Sequence, residues 1–182
     1  MIHRLGELWQ HTPPAFWLLL AACAYFTVMA VRLTVIDVRH HLLPNRIVFP
    51  SYAVAGVLLL AAAALAGAGS GQGPAGPLAG LASQPVLRVV AGAAILWLFY
   101  FLLRLVYPPG MGFGDVKLAG VLGMYLGYLG WGHLFAGTFL AFLLGGLWSV
   151  ALLAARKGTL KSSIPFGPFM LAGTAAAMLL PA

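Results

Sequence analysis

The sequence predicts an all-α, polytopic membrane protein with about six transmembrane helices and both termini outside. Three observations carry this. Hydrophobic residues make up 62% of the 182 positions and charged residues only 7%, against about 25% charged in water-soluble domains. The apolar residues fall into runs near the length of about 20 that a bilayer-spanning helix needs. Lys and Arg are distributed unevenly over the connections between those runs.

The first span runs from Ala15 or Phe16 to about Ile36, after the punctuation of Pro13-Pro14. A polar turn from Asp37 to Arg46 follows, and then a second span over roughly Ile47 to Ala66. The stretch from Gly67 to Pro85 is rich in Gly, Pro, Ser and Ala and reads as a loop. Span three covers about Val86 to Val106. Prolines and glycines crowd Tyr107 to Asp115 too densely for regular helix throughout. Span four, Val116 to about Leu129, is short and carries Gly123-x-x-x-Gly127, a spacing that lets a neighbouring backbone approach closely. Spans five and six run over roughly Leu134 to Ala155 and Pro165 to Leu180, with Ser163 as the expected cap of the last. No second domain is evident, so residues 1–182 are read as one unit.

Charge asymmetry orients the bundle. Arg32, Arg39, Arg46, Arg104, Lys117, Arg156, Lys157 and Lys161 belong to one side, and only Arg4 and Arg88 to the other. The richer side is therefore assigned to the cytoplasm. The formal charge of +7 reflects these topology signals; no basic cluster of the kind that tracks phosphates is present, which argues against nucleic acid as a partner. Cys23 is the single cysteine, reads as a small apolar residue inside a span, and supports neither a disulfide nor a thiolate metal site.

Acids are scarce: Glu7, Asp37 and Asp115 are all there are. Carboxylates are costly near lipid, so those that remain are functional candidates by default. Glu7 belongs to the polar N-terminal stretch on the outer side. Asp37 ends a helix arriving at the cytoplasmic face and Asp115 begins one leaving it, so the two share a membrane depth and can meet. Taken one at a time, Asp37 could be an ordinary juxtamembrane charge and Asp115 an N-cap. Gly112 and Gly114 strip side chains from around Asp115, which would admit an extended peptide backbone. Gly110-x-Gly112-x-x-Asp115 lacks the pattern of a phosphate or dinucleotide loop. Lys117 either snorkels to headgroups or biases the charge of Asp115, the latter only if Asp115 lies outside the helix. His40 and His41 have no acidic or Cys partner nearby, so neither a metal nor a cofactor is expected.

Three separated motifs add a resemblance. Asp37 followed by Leu43-Pro44-Asn45, then Gly112-Phe113-Gly114-Asp115-Val116-Lys117, then Ile164-Pro165-Phe166-Gly167-Pro168 together resemble the type IV prepilin peptidases, intramembrane aspartyl proteases of the G-x-G-D class. The resemblance implies that Asp37 and Asp115 are the catalytic pair. It also implies supporting roles for Gly112, Gly114, Lys117, Pro44 and Asn45, and a substrate-side role for Pro165, Phe166, Gly167 and Pro168. The implied activity is removal of a short basic leader from membrane-inserted prepilin-like substrates, at the cytoplasmic face of a prokaryotic inner membrane, with anionic lipid helping to hold the leader. Long forms of the family carry paired Cys-x-x-Cys motifs in a methyltransferase domain; with Cys23 alone, this chain resembles the short, peptidase-only forms, and methyl transfer is expected to be absent. The alternative from a different class is a small proton-coupled transporter using Asp37 and Asp115 as a relay.

Overall fold

The computed structural model describes residues 1–40, 42–69, 84–155 and 165–181. Seven α-helices lie among them: α1 (Ile2–His11), α2 (Pro13–His40), α3 (Asn45–Gly69), α4 (Pro85–Val106), α5 (Phe113–Leu129), α6 (Trp131–Ala154) and α7 (Gly167–Leu179), with a single 3₁₀ turn at Pro108–Gly110. Four of these, α2, α3, α4 and α6, are long and apolar enough to cross a membrane. The two other expected spans are shorter, 17 residues in α5 and 13 in α7.

The short length of α5 has a physical reason. Helices α2, α3, α4, α6 and α7 follow one another around it, each packed on the next. Thirteen of its 17 residues are buried. A helix sheathed by protein need not match the hydrocarbon thickness, because its ends meet other helices rather than lipid. Its glycines permit the enclosure. A Cβ on Gly123 would strike the Gly92 carbonyl and come within 2.8 Å of Ala93 Cα, both on α4, and one on Gly127 would strike the Arg88 carbonyl. The Gly123-x-x-x-Gly127 pattern is therefore the contact face for α4, with Gly92 as its counterpart. On the α3 side, Gly120 leaves room for the Tyr52 hydroxyl, which donates to the Lys117 carbonyl at 2.6 Å. On the α2 side, the Tyr125 hydroxyl donates to the Ala22 carbonyl at 3.0 Å.

Backbone atoms cannot yield as side-chain ends can. Gly123→Ala is therefore expected to destabilise the bundle by about 1–3 kcal/mol. Thermal unfolding in detergent checks this against Gly146→Ala, whose added Cβ would meet nothing within 4 Å.

Several boundaries differ from expectation. The polar N-terminal stretch forms helix α1, with Leu8 buried and a C-cap at Thr12, whose N–H donates to the Leu8 carbonyl at 2.8 Å. Leu5 and Leu8 fall on one face and Arg4, Glu7 and His11 on another, which marks an amphipathic helix, one too short to register as a span. Helix α7 starts at Gly167, with Phe166 as N-cap and Pro168 in the first turn. The expected start at Pro165 is thus two residues early, and the expected cap, Ser163, lies outside the described residues. The loops holding Arg156, Lys157 and Lys161, and most of the expected loop after span two, also lie outside them.

Helix α2 presents Ala15, Leu19, Ala22, Phe26, Met29, Leu33 and Asp37 to the interior. These lie three or four apart, the seam of a packed helix. Its other faces, with Val28, Val31 and Val35 exposed, suit lipid. The seam delivers Asp37 to one end of the bundle. That end also holds the N-termini of α3, α5 and α7 and the C-terminus of α4.

Candidate functional site

Asp37 occupies the last position of the α2 seam and is 4% exposed. It does not end its helix, as the sequence had implied; α2 continues through His40. Helix α7 begins directly on it: a Cβ at Gly167 would lie 2.6 Å from Asp37 Oδ2 and 3.5 Å from Leu43 Cδ2. The Pro165-Phe166-Gly167-Pro168 motif is thus the helix start that abuts Asp37. Phe166 turns the other way, its ring 5.2 Å from that of Phe142 on α6 and 6.3 Å from that of Tyr100 on α4.

Asp115 is 7% exposed and is the third residue of α5, whose N-cap is Gly112. The aspartate is therefore not the cap itself. Its carboxylate accepts a hydrogen bond from the Gly112 backbone N–H, the reach-back arm of a capping box. Its own N–H donates to the Gly112 carbonyl at 3.2 Å. This arrangement points the side chain back over the start of the helix.

The two carboxylates, 78 residues apart in sequence, lie close enough for the charge of Asp37 to act on Asp115. Tyr100, 1% exposed, also feels the Asp115 charge. Both acids are thus held in one buried locus by four helices: α2 supplies Asp37, α5 supplies Asp115, α7 closes over Asp37, and α4 backs Asp115.

Gly114 does a different job from the one expected. A Cβ on Gly114 would lie 2.8 Å from Leu43 Cβ, so the space beside Gly114 is filled by the α2–α3 turn and is not open to a peptide. Gly112 faces the Asp115 carboxylate, its hypothetical Cβ 3.4 Å from Oδ2. Leu43 touches both Gly114 and Gly167, wedging the turn between α5 and α7. Pro44 opens α3, its carbonyl accepting from the Ile47 and Val48 N–H groups at 3.0 and 3.2 Å.

Lys117 also departs from expectation. The condition for biasing Asp115 is unmet, since Asp115 lies within α5. The Lys117 ammonium donates instead to Asn45 Oδ1 at 2.9 Å and sits 4.9 Å from the ring centroids of both Phe49 and Phe113. Arg104, read from sequence only as a topology signal, donates to the Met111 carbonyl at 2.8 Å and lies over the Phe113 ring. Tyr100 and Arg104 were missed as site residues. A signal existed for Tyr100: it continues the buried stripe of Val89, Gly92 and Leu96 on α4. At the far end of the bundle, Glu7 makes an exposed pair with Arg4 at 3.4 Å.

A family described as "Type IV leader peptidase family" matches residues 17–150. The chain belongs to that family. It is 32% identical over 150 residues to the prepilin leader peptidase/N-methyltransferase of Aeromonas salmonicida strain A449, covering 82% of this chain and 45% of that protein. The proteins of the same name from Pseudomonas putida and Burkholderia pseudomallei strain 1026b are 38% identical over 86 residues and 35% over 96. Those matches cover 47% and 51% of this chain and 29% of each relative. The chain thus spans less than half the length of these relatives. No solved structure matches it significantly. The matched segment contains Asp37, Leu43-Pro44-Asn45 and the Gly112–Lys117 motif. Membership of a peptidase family and the apolar helices fit a membrane-integral prokaryotic protein, and they lend the transporter alternative no support.

Proposed function

We propose that this chain is an intramembrane aspartyl endopeptidase that removes the leader from prepilin-like substrates at the cytoplasmic face of the inner membrane. The observation that carries the reading is the convergence of Asp37 and Asp115, buried and mutually interacting, at one end of a bundle with hardly any other acid. In the proposed reaction the pair shares one proton, as adjacent carboxylates do. The ionised member takes a proton from water as the water adds to the scissile carbonyl, and the protonated member gives its proton to the carbonyl oxygen. The tetrahedral intermediate then collapses: the pair protonates the amide nitrogen, the C–N bond breaks, and a hydroxyl of the intermediate returns a proton to the pair. The two roles belong to the pair rather than to either residue. Methyl transfer, the second half of the relatives' printed name, is not proposed for these 182 residues, which hold only Cys23.

The direct test is leader release from a membrane-inserted prepilin-like substrate in proteoliposomes, with each aspartate replaced in turn. Turnover close to that of the unsubstituted chain in either Asp37→Asn or Asp115→Asn overturns the reading.

A basic leader would approach an end of the bundle bearing Arg39, Arg46, Arg104 and Lys117, with no acid there beyond the pair. Leader binding is therefore assigned to backbone carbonyls and to anionic lipid beside the protein. Raising salt is expected to raise KM in anionic bilayers and to leave it unchanged in neutral ones. A salt-independent KM in both would remove lipid from the account.

A further inference from the structure

The residues on either side of Asp115 are gripped by a set of contacts that crosses three helices. Phe113 carries two cations over its ring, with Arg104 of α4 at 5.2 Å and Lys117 of its own helix at 4.9 Å from the ring centroid. Lys117 continues the chain to α3: its ammonium lies 4.9 Å from the Phe49 ring and donates to Asn45 Oδ1 at 2.9 Å. The Lys117 carbonyl is fixed as well, by the Tyr52 hydroxyl at 2.6 Å. Arg104 is anchored on the other side by the Met111 carbonyl at 2.8 Å. A cation over an aromatic face is held by the ring quadrupole, and a charged donor makes a stronger hydrogen bond than a neutral one.

The far end of this chain of contacts leads to the other aspartate. Asn45 is the first residue of α3 and is two residues from Leu43, which packs against Gly114 on α5 and against Gly167 at the start of α7. Gly167 abuts Asp37. The α2–α3 turn is therefore joined to α5 by a wedge at Leu43 and by a tether at Asn45, and it touches the neighbour of Asp37.

We infer that Lys117 is a positioning residue: by tying the α5 start to Asn45, Phe49 and Phe113, it sets the placement of Asp115 relative to Asp37. The inference rests on the aspartate-pair reading of the site. Lys117 works through its contacts and not through the substrate, so its loss should appear in turnover rather than in binding. Small displacements of reacting groups carry large rate penalties, about a hundredfold for 1 Å.

The test is steady-state leader cleavage by Lys117→Met, Asn45→Ala, the double variant and Asn45→Asp. Methionine keeps the apolar stem without the charge, and aspartate keeps an acceptor for the ammonium. Lys117→Met and Asn45→Ala are each expected to lower kcat by about tenfold or more, with KM within about twofold. The double variant should be no slower than Lys117→Met, because one interaction is lost once. Asn45→Asp should retain kcat within about twofold, which a general weakening of the fold would not produce. Unchanged kcat in the single variants overturns the inference. So does a raised KM at constant kcat, and so do losses that multiply in the double variant. Full turnover by Asp37→Asn or Asp115→Asn would instead remove the aspartate pair itself. Inactive aspartate variants beside a fully active Lys117→Met would remove only the tether.

Discussion

Asp37→Asn and Asp115→Asn are each expected to slow leader release by about a thousandfold or more, and the double variant should be no slower than either alone. General acid–base groups contribute typically about 10² to 10⁴ in rate, and groups that act as one unit show losses that do not multiply. Asparagine preserves side-chain shape, so the Gly167 and Gly112 contacts that seat the two side chains remain available. It cannot accept a proton from water or pass one to the carbonyl. Single-turnover cleavage in proteoliposomes, with bound substrate saturating, checks this free of product-release effects. Additive losses in the double variant would show two independent sites rather than a pair.

The same arrangement dictates a pH profile. At low pH both carboxyls are protonated and no base remains for the water. At high pH both are ionised and no proton remains for the carbonyl oxygen. Turnover should therefore fall on both sides of a maximum, and either aspartate variant should flatten what activity survives.

Much of this site was legible in the amino-acid sequence because lipid makes carboxylates expensive. Two acids at matching ends of successive apolar runs stand out without any structure, and Lys and Arg placement puts them on one side. Packing was less legible. Lipid tails are about as apolar as leucine side chains, so hydropathy does not separate a helix face turned to lipid from one turned to protein. Helix α5 and helix α6 read alike as apolar runs, yet α5 is sheathed and α6 is largely exposed, with Phe135, Leu147 and Val150 on its surface. Leu43 illustrates a second gap. Its contacts with Gly114 and Gly167 join segments 71 and 124 residues away along the chain, a register that no local pattern encodes. Gly114 looked like open space beside a carboxylate, and it is the seat of a leucine.

Gly167→Ala is expected to lower kcat by about a hundredfold while leaving the unfolding temperature nearly unchanged. The added methyl would stand 2.6 Å from Asp37 Oδ2 and 3.4 Å from its carboxyl carbon, inside van der Waals contact. Either the carboxylate turns away or α7 backs off. Helix α7 has little freedom to retreat, because Gly173 is packed against the backbone of α6, where a Cβ would lie 2.5 Å from the Ala141 nitrogen and 2.8 Å from the Gly137 carbonyl oxygen. The aspartate is thus the part that moves, and a displacement of about 1 Å accounts for a loss of that size. Alanine is at least as good as glycine in a helix, which offsets the local crowding in the folding balance. Substrate binding does not run through the Asp37 oxygen in this account, so KM should hold within about twofold. Gly146→Ala, on α6 with open space around it, serves as the control and should turn over normally. An unaltered kcat in Gly167→Ala would mean that Asp37 reacts from a position other than the one it occupies against α7.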